Sequence, residues 1–297
     1  MTRPKCIGSM ASHPGRRKTL GDVVRAIAPQ LDVLYIYLNE YDRIPEELGH
    51  HVNVVPLLGY QDRGDLSAAG KMIFLTRETS GQAFVLDDDV IYPPDYVDTM
   101  LAVHASLGGN VGVCVHGSVI PDSASWYYER SVIYDVETNL TDVAAVNLVG
   151  SGTFSYLIEE GRLDFDQFLG PVQVDLTISK SFLASGMPLA ACPRSKGWLQ
   201  FLPYEGMTRA LMRTLTHHTL ALRDRAELSY EHVIDVWSKH FARYPEARCP
   251  YEIRQGLARR HGAGNVDDVR PVIWQATDLS LKKSLEFSAK WCNRAGR

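Results

Sequence analysis

Several absences narrow the class of this chain before any motif is read. The five cysteines, Cys6, Cys114, Cys192, Cys249 and Cys292, form no CxxC pair and no zinc spacing. Scattered and odd in number, they read as reduced core thiols of a cytosolic protein, not as a disulfide frame or a zinc site. There is no basic excess. The net charge is −4 at pH 7, so no broad positive field calls for nucleic acid. No apolar run approaches the roughly 20 residues of a membrane span. Met1-Thr2-Arg3-Pro4-Lys5 leads into no signal-peptide core. Internal repeats and low-complexity tracts are missing as well. What is present is 297 residues, 45% apolar and 22% charged. That length allows one large domain, or one domain with a helical appendage, with a core that needs no staples.

The hydrophobic pattern alternates between strand and helix. Cys6 to Met10 reads as a first strand, followed by the turn Ser12-His13-Pro14-Gly15-Arg16-Arg17. A helix follows, with Leu20, Val23, Val24, Ile27 and Leu31 at helical spacing. Val33 to Leu38 is a nearly all-apolar strand, as expected where both sheet faces are covered. His51 to Leu58 reads as a third strand, Gly64 to Phe74 as a loop entering a short helix, and Ala83 to Leu86 as a fourth strand. A helix over 94–107 and a strand over 111–115 come next. The order implies an α/β sheet of mostly parallel strands flanked by helices. Further on, a strand is expected over 143–149, ended by Gly150-Ser151-Gly152, then a helix over 174–184 and a last strand over 189–193. From about residue 203 the composition turns helical and rich in Arg, His and Leu. This sets the expected division: an α/β domain over 1–203, with a first half to about 120 and a second half over 121–203, and a helical extension over 204–297. The end of that extension, Leu279 to Arg297, is basic and amphipathic. It reads as a terminal helix packed on the body or lying on a membrane surface.

The densest chemistry is Phe84-Val85-Leu86-Asp87-Asp88-Asp89-Val90-Ile91-Tyr92-Pro93-Pro94. Three carboxylates follow a buried strand, and two prolines close the turn. Adjacent negative charges repel, so a cation is expected to meet them. Hard divalent ions such as Mg²⁺ and Mn²⁺ take oxygen ligands and bridge one or two carboxylates to nucleotide phosphates. The competing reading is an acidic turn or helix cap.

Together with that run, collinear pieces resemble a known family. They are Ser9-Met10-Ala11-Ser12-His13-Pro14-Gly15-Arg16-Arg17-Lys18, Tyr37-Leu38-Asn39-Glu40, Gly70-Lys71-Met72-Ile73-Phe74, Val115-His116-Gly117, Gly150-Ser151-Gly152-Thr153, Val174-Asp175-Leu176-Thr177 and Cys192-Pro193-Arg194-Ser195-Lys196-Gly197-Trp198. The set, over roughly residues 5 to 200, resembles the bacterial capsule glycosyltransferases of the heparosan type, α-N-acetylglucosaminyltransferases that use UDP-GlcNAc. Residues 205–297 match no part of it. The resemblance implies a GT-A glycosyltransferase fold: a Rossmann-like, mostly parallel sheet. It does not fix the sugar, because donor choice changes readily on one fold.

The resemblance also implies roles. Asp89 and Asp87 would hold Mn²⁺ or Mg²⁺, which would act as a Lewis acid on the departing UDP. Asp87 and Asp88 would also receive the ribose. Arg16 and Arg17, at a helix start, suit a diphosphate or uridine. Asn39, Asp65 and Lys71 would hold base, ribose or phosphate; read alone they are a turn asparagine and a surface ion pair. Asp175 would face the acceptor hydroxyl. In an inverting enzyme it would be the general base. In a retaining enzyme, which the resemblance implies, it would orient the acceptor or steady an oxocarbenium-like sugar. Arg194 would brace the leaving β-phosphate. His116 and Trp198 would touch the acceptor, against the plainer readings of a strand-end histidine and a core tryptophan. His217-His218 is set aside as a metal site because adjacent helical residues point apart.

The expected partners are therefore a UDP-sugar and a glycan or lipid-linked saccharide acceptor. The expected location is cytoplasmic, with peripheral membrane or assembly-complex association open. A nucleotidyltransferase acting on a sugar phosphate is a second reading, weakened because only Gly15 stands where a Gly-rich phosphate loop belongs. A non-catalytic sugar-nucleotide-binding subunit is a third, weakened by the intact Asp87-Asp88-Asp89 and Asp175.

Overall fold

The computed structural model describes residues 3–124, 127, 129–159, 162–170, 173–202 and 226–260. His217, His218 and the segment 279–297 lie outside the described residues.

An eight-stranded mixed sheet runs through the molecule, with helices against it. Its strands are β1 (Cys6–Ser12), β2 (Val33–Leu38), β3 (Val54–Leu58), β4 (Gln82–Leu86), β6 (Gly112–Cys114), β9 (Ala144–Ala145), β11 (Thr153–Leu157) and β12 (Leu189–Ala191). The spatial order is β3-β2-β1-β4-β11-β6-β12-β9. β3, β2, β1 and β4 are mutually parallel, as are β6 and β12. β11 is antiparallel to both of its neighbours, and β9 is antiparallel to β12. A three-stranded sheet comprises β7 (Gly117–Val119), β8 (Val132–Tyr134) and β10 (Leu148–Val149). A short pair joins β5 (Val90–Ile91) to β13 (Gln200–Phe201).

The sequence explains this arrangement locally. β4 is buried along its whole length, which an apolar run covered on both faces requires. Helix α1 (Arg17–Ile27) turns Leu20, Val23, Val24 and Ile27 into the core, each worth about 1.5–3 kcal/mol of burial. Helix α2 (Tyr96–Ser106) packs Tyr96, Val97 and Met100, and α3 (Val174–Ala184) packs Ile178, Phe182 and Leu183. Because β1, β2 and β4 are parallel, the turns after Ser12, Leu38 and Leu86 all leave the same edge of the sheet. That edge is where open α/β sheets bind ligands.

One expectation is corrected here. The run 143–149 is not one strand: β9 joins the large sheet and β10 the small one. Between them Asn147 turns its amide to Ile120, accepting its N–H at 2.8 Å and donating to its C=O at 2.8 Å. The segment after Gly152 is a strand that no local pattern announces. It is β11, inserted antiparallel beside β4.

Helices α4 (Tyr230–Arg243) and α5 (Tyr251–Arg260) follow. Val233, Ile234 and Trp237 of α4 are fully buried. Tyr230 N–H donates to Asp122 Oδ1 at 2.9 Å, Asn147 Nδ2 to Leu228 O at 2.7 Å, and His240 Nε2 to Leu107 O at 2.7 Å. Residues 226–260 are thus built onto the body. No described helix is long and apolar enough to cross a membrane.

Candidate functional site

The three aspartates stand at the carboxyl end of β4, each in a different environment. Asp87 is the most open, with 39% of its side chain exposed, and it pairs with Lys71. Asp88 is buried, and its Oδ2 finds no hydrogen-bond partner among the described residues. Burial pushes its carboxyl up to about 7, Asp89 and Asp87 add to this, and Ser12 and Arg16 oppose it. Asp89 Oδ2 lies 2.6 Å from Arg16 Nη1. Burial and then the charge of Asp87 raise the Asp89 carboxyl, while Arg16 and Lys71 hold it down.

Backbone contacts fix the turn. Asp87 N–H donates to Tyr92 Oη at 2.8 Å, and that hydroxyl donates to Gly152 O at 2.6 Å. Thr19 Oγ1 donates to Asp88 O at 3.0 Å, tying the turn to α1. Leu202 N–H donates to Asp89 O at 2.8 Å.

Lys71 is 4% exposed. Burial works against its charge, but Asp87, then Asp175 and Asp88, outweigh it and hold its pKa up. Besides Asp87 it reaches Ser151 Oγ at 3.4 Å. Ser151 N–H in turn donates to Asp175 Oδ1 at 2.9 Å, and Tyr127 Oη donates to Asp175 Oδ2 at 3.1 Å. Asp175 sits in the first turn of α3, half-buried. The carboxylates expected on the donor and acceptor sides are thus joined through Lys71 and Ser151. Ser151 was quoted in the sequence only as part of a motif, and no local signal marks it as the junction.

His116 ends the β6 side of the same region. Burial, with Arg130 adding to it, pushes its imidazole down to about 4, against Asp175 and Asp135. It is therefore neutral at pH 7. Its N–H donates to Thr153 Oγ1 at 2.9 Å, and its carbonyl accepts from Gly150 N–H at 2.8 Å.

Other expected residues are placed elsewhere or already committed. Asn39 is buried and spends its amide on the following loop: Leu66 N–H donates to Oδ1 at 2.9 Å, and Nδ2 donates to Ser67 O at 3.0 Å. It shapes the loop carrying Lys71. Asp65 is exposed and accepts Ser67 N–H at 2.7 Å, an Asx turn before a residue at φ 50°. Arg17 is exposed, 3.9 Å from Glu47. Arg194 is 7% exposed and donates both Nη groups to backbone carbonyls, of Cys192 at 3.0 Å and of Asp135 at 2.5 Å. It braces the loop after β8, while its buried Nε has no hydrogen-bond partner among the described residues. Trp198 donates Nε1–H to Asp95 at 3.0 Å and packs 5.6 Å from the Tyr96 ring, so one face is taken by α2.

Among the described residues no three or more His, Cys, Asp or Glu side chains come together as a metal cage. The donor set here is instead two hard-oxygen carboxylates, Asp87 and Asp89, beside the partnerless Asp88 Oδ2. That fits an ion that takes one or two protein carboxylates and completes its shell with water and phosphate.

No family model matches the sequence, and no curated protein matches it significantly. Among solved structures the chain is similar to the mannosyltransferase PcManGT from Pyrobaculum calidifontis in complex with GDP-Man and Mn²⁺, at 10% identity over 98% of this chain and 76% of that one, TM-score 0.42. It is also similar to TarS 1-349 from S. aureus in complex with UDP-GlcNAc, at 10% identity over 80% and 73% of the two chains, TM-score 0.49. A second TarS 1-349 crystal structure gives 11% identity over 98% and 89%, TM-score 0.45. At these identities and TM-scores the likeness assigns no activity to this chain.

Proposed function

We propose that this chain is a metal-dependent glycosyltransferase of GT-A type. It moves a sugar, N-acetylglucosamine by the capsule-enzyme resemblance, from a UDP-sugar to a hydroxyl of a glycan or lipid-linked acceptor, with retention at the anomeric carbon. The observation that carries the reading is the convergence of Asp87, Asp88, Asp89, Arg16, Lys71 and Asp175 at the carboxyl edge of the sheet.

In this reading Asp89 and Asp87 hold Mn²⁺ or Mg²⁺, whose charge, when bound, stabilises the leaving diphosphate. Arg16 is the guanidinium best placed for that diphosphate, because it already lies on Asp89 beside the start of α1. Arg17 and Asp65, both exposed, lie further out on the donor side. Asp88 serves the ribose. Asp175 is held by an N–H and a phenol O–H. A carboxylate fixed in this way orients an acceptor hydroxyl and steadies positive charge developing on the sugar. Neutral His116 offers an uncharged ring to the acceptor, and Trp198 its remaining edge. The work belongs to polysaccharide or glycoconjugate assembly, at the cytoplasmic side and in peripheral contact with the membrane.

UDP release from a panel of UDP-sugars in Mn²⁺ tests the reading. Release of pyrophosphate from UTP in a parallel assay with a sugar 1-phosphate would instead favour the nucleotidyltransferase.

A further inference from the structure

The Gly150-Ser151-Gly152-Thr153 turn touches Asp87, Lys71, Asp175 and His116. We infer that this turn is the positioning element that sets the donor carboxylate Asp87 and the acceptor carboxylate Asp175 in register, a role that rests on the transferase reading. Contacts from all four residues of the turn carry the inference. Ser151 donates its N–H to Asp175 and meets the Lys71 ammonium through Oγ, while Lys71 holds Asp87. Gly152 lies directly against Asp87: a Cβ there would stand 1.8 Å from Oδ2 and 2.2 Å from Cγ. Its carbonyl is also bonded to the Tyr92 hydroxyl that receives the Asp87 N–H. Gly150 lies against His116, where a Cβ would be 2.6 Å from the ring. Thr153 Oγ1 receives the N–H groups of Val115 and His116 at 3.2 and 2.9 Å.

The requirement for glycine is therefore steric contact with a functional side chain, since neither Gly150 nor Gly152 has a positive φ. The turn opens β11, the strand whose antiparallel insertion places it beside β4. One short segment thereby reads the positions of Asp87, Lys71, Asp175 and His116 at once. A shift of it moves one carboxylate relative to the other, and misplacement on that scale costs about a hundredfold in rate.

The test is a double-mutant cycle on Gly152→Ala and Asp87→Ala, read by thermal denaturation, together with calorimetric binding of UDP with Mn²⁺. Gly152→Ala is expected to lower the melting temperature by several degrees and weaken UDP–Mn²⁺ binding about tenfold or more. The thermal effect is expected to disappear when Asp87 is already alanine; binding is compared only in proteins that keep Asp87, because that carboxylate is itself assigned to the metal. Ser151→Ala, which keeps the N–H to Asp175, is expected to bind UDP–Mn²⁺ normally and lose turnover with little change in donor KM. An unchanged Gly152→Ala protein, or an equal thermal loss in the Asp87→Ala background, would overturn the inference. If the unmodified chain binds no UDP, the transferase reading fails, while the thermal cycle still decides whether Gly152 acts through Asp87.

Discussion

Arg16 and Asp89 meet at 2.6 Å, joining the turn before α1 to the aspartate turn after β4. Both side chains are mostly buried, at 19% and 13% exposure. Three carboxylates in a row are tolerable there because a guanidinium and an ammonium, Arg16 and Lys71, face them. The two cations stand on different carboxylates of the run, Arg16 on Asp89 and Lys71 on Asp87.

Arg16→Gln is expected to weaken UDP binding while leaving the fold intact. Losing one charge-assisted contact costs about 2 kcal/mol, roughly thirtyfold in affinity. Calorimetry with UDP in Mn²⁺ checks it; unchanged affinity would remove Arg16 from the donor site.

The Lys71–Asp87 pair is asymmetric, and its two truncations should differ. Asp87→Ala leaves a buried ammonium, 5% exposed, without its main counter-charge. That costs on the order of 3 kcal/mol. Lys71→Met leaves Asp87, at 39% exposure, able to take up water, so its cost is smaller. Urea denaturation of both variants measures the order. A Lys71→Met protein less stable than Asp87→Ala would contradict the placement.

Acid stability should carry the mark of His104, which is 3% exposed and bonded to Gln82 and Ser155 at 2.9 and 3.1 Å. Burial pushes its imidazole from 6.5 down to about 4. Between those values the unfolded chain binds the extra proton, so its contribution is complete above about pH 6.5 and is lost as pH falls to about 4. The full effect is about 3 kcal/mol. Asp88 acts in the opposite sense, because the fold keeps its proton up to about pH 7, so the comparison must be with His104→Gln. The unmodified protein should lose stability relative to that variant as pH falls through the window. Parallel pH profiles would contradict it.

Asp175→Asn is expected to keep UDP–Mn²⁺ binding and lose turnover by about a hundredfold or more. Normal turnover in that variant would take Asp175 out of the mechanism.

The parts legible in the sequence were those with local causes. Helix α3 falls on its apolar spacing, and the aspartate turn announces itself through charge against a buried strand. β11 was not legible, because Thr-Phe-Ser-Tyr-Leu after two glycines carries no sign of its antiparallel place beside β4. The long-range bonds of Asn39 to Leu66 and of Arg194 to Asp135 were hidden for the same reason, their partners lying 27 and 59 residues away. Tertiary packing ties both side chains to backbone groups that no local pattern reveals. The link from Asp87 to Asp175 spans four segments of chain and emerges only in the folded sheet.

The central claim is tested most directly by incubating the full chain with UDP-GlcNAc, UDP-Glc, UDP-Gal and UDP-uronic acids in Mn²⁺ and measuring UDP release. The account predicts release from one donor, abolished by EDTA and by Asp89→Ala in a protein that remains folded by circular dichroism. No release from any donor, or full release in EDTA or in the Asp89→Ala protein, would contradict it.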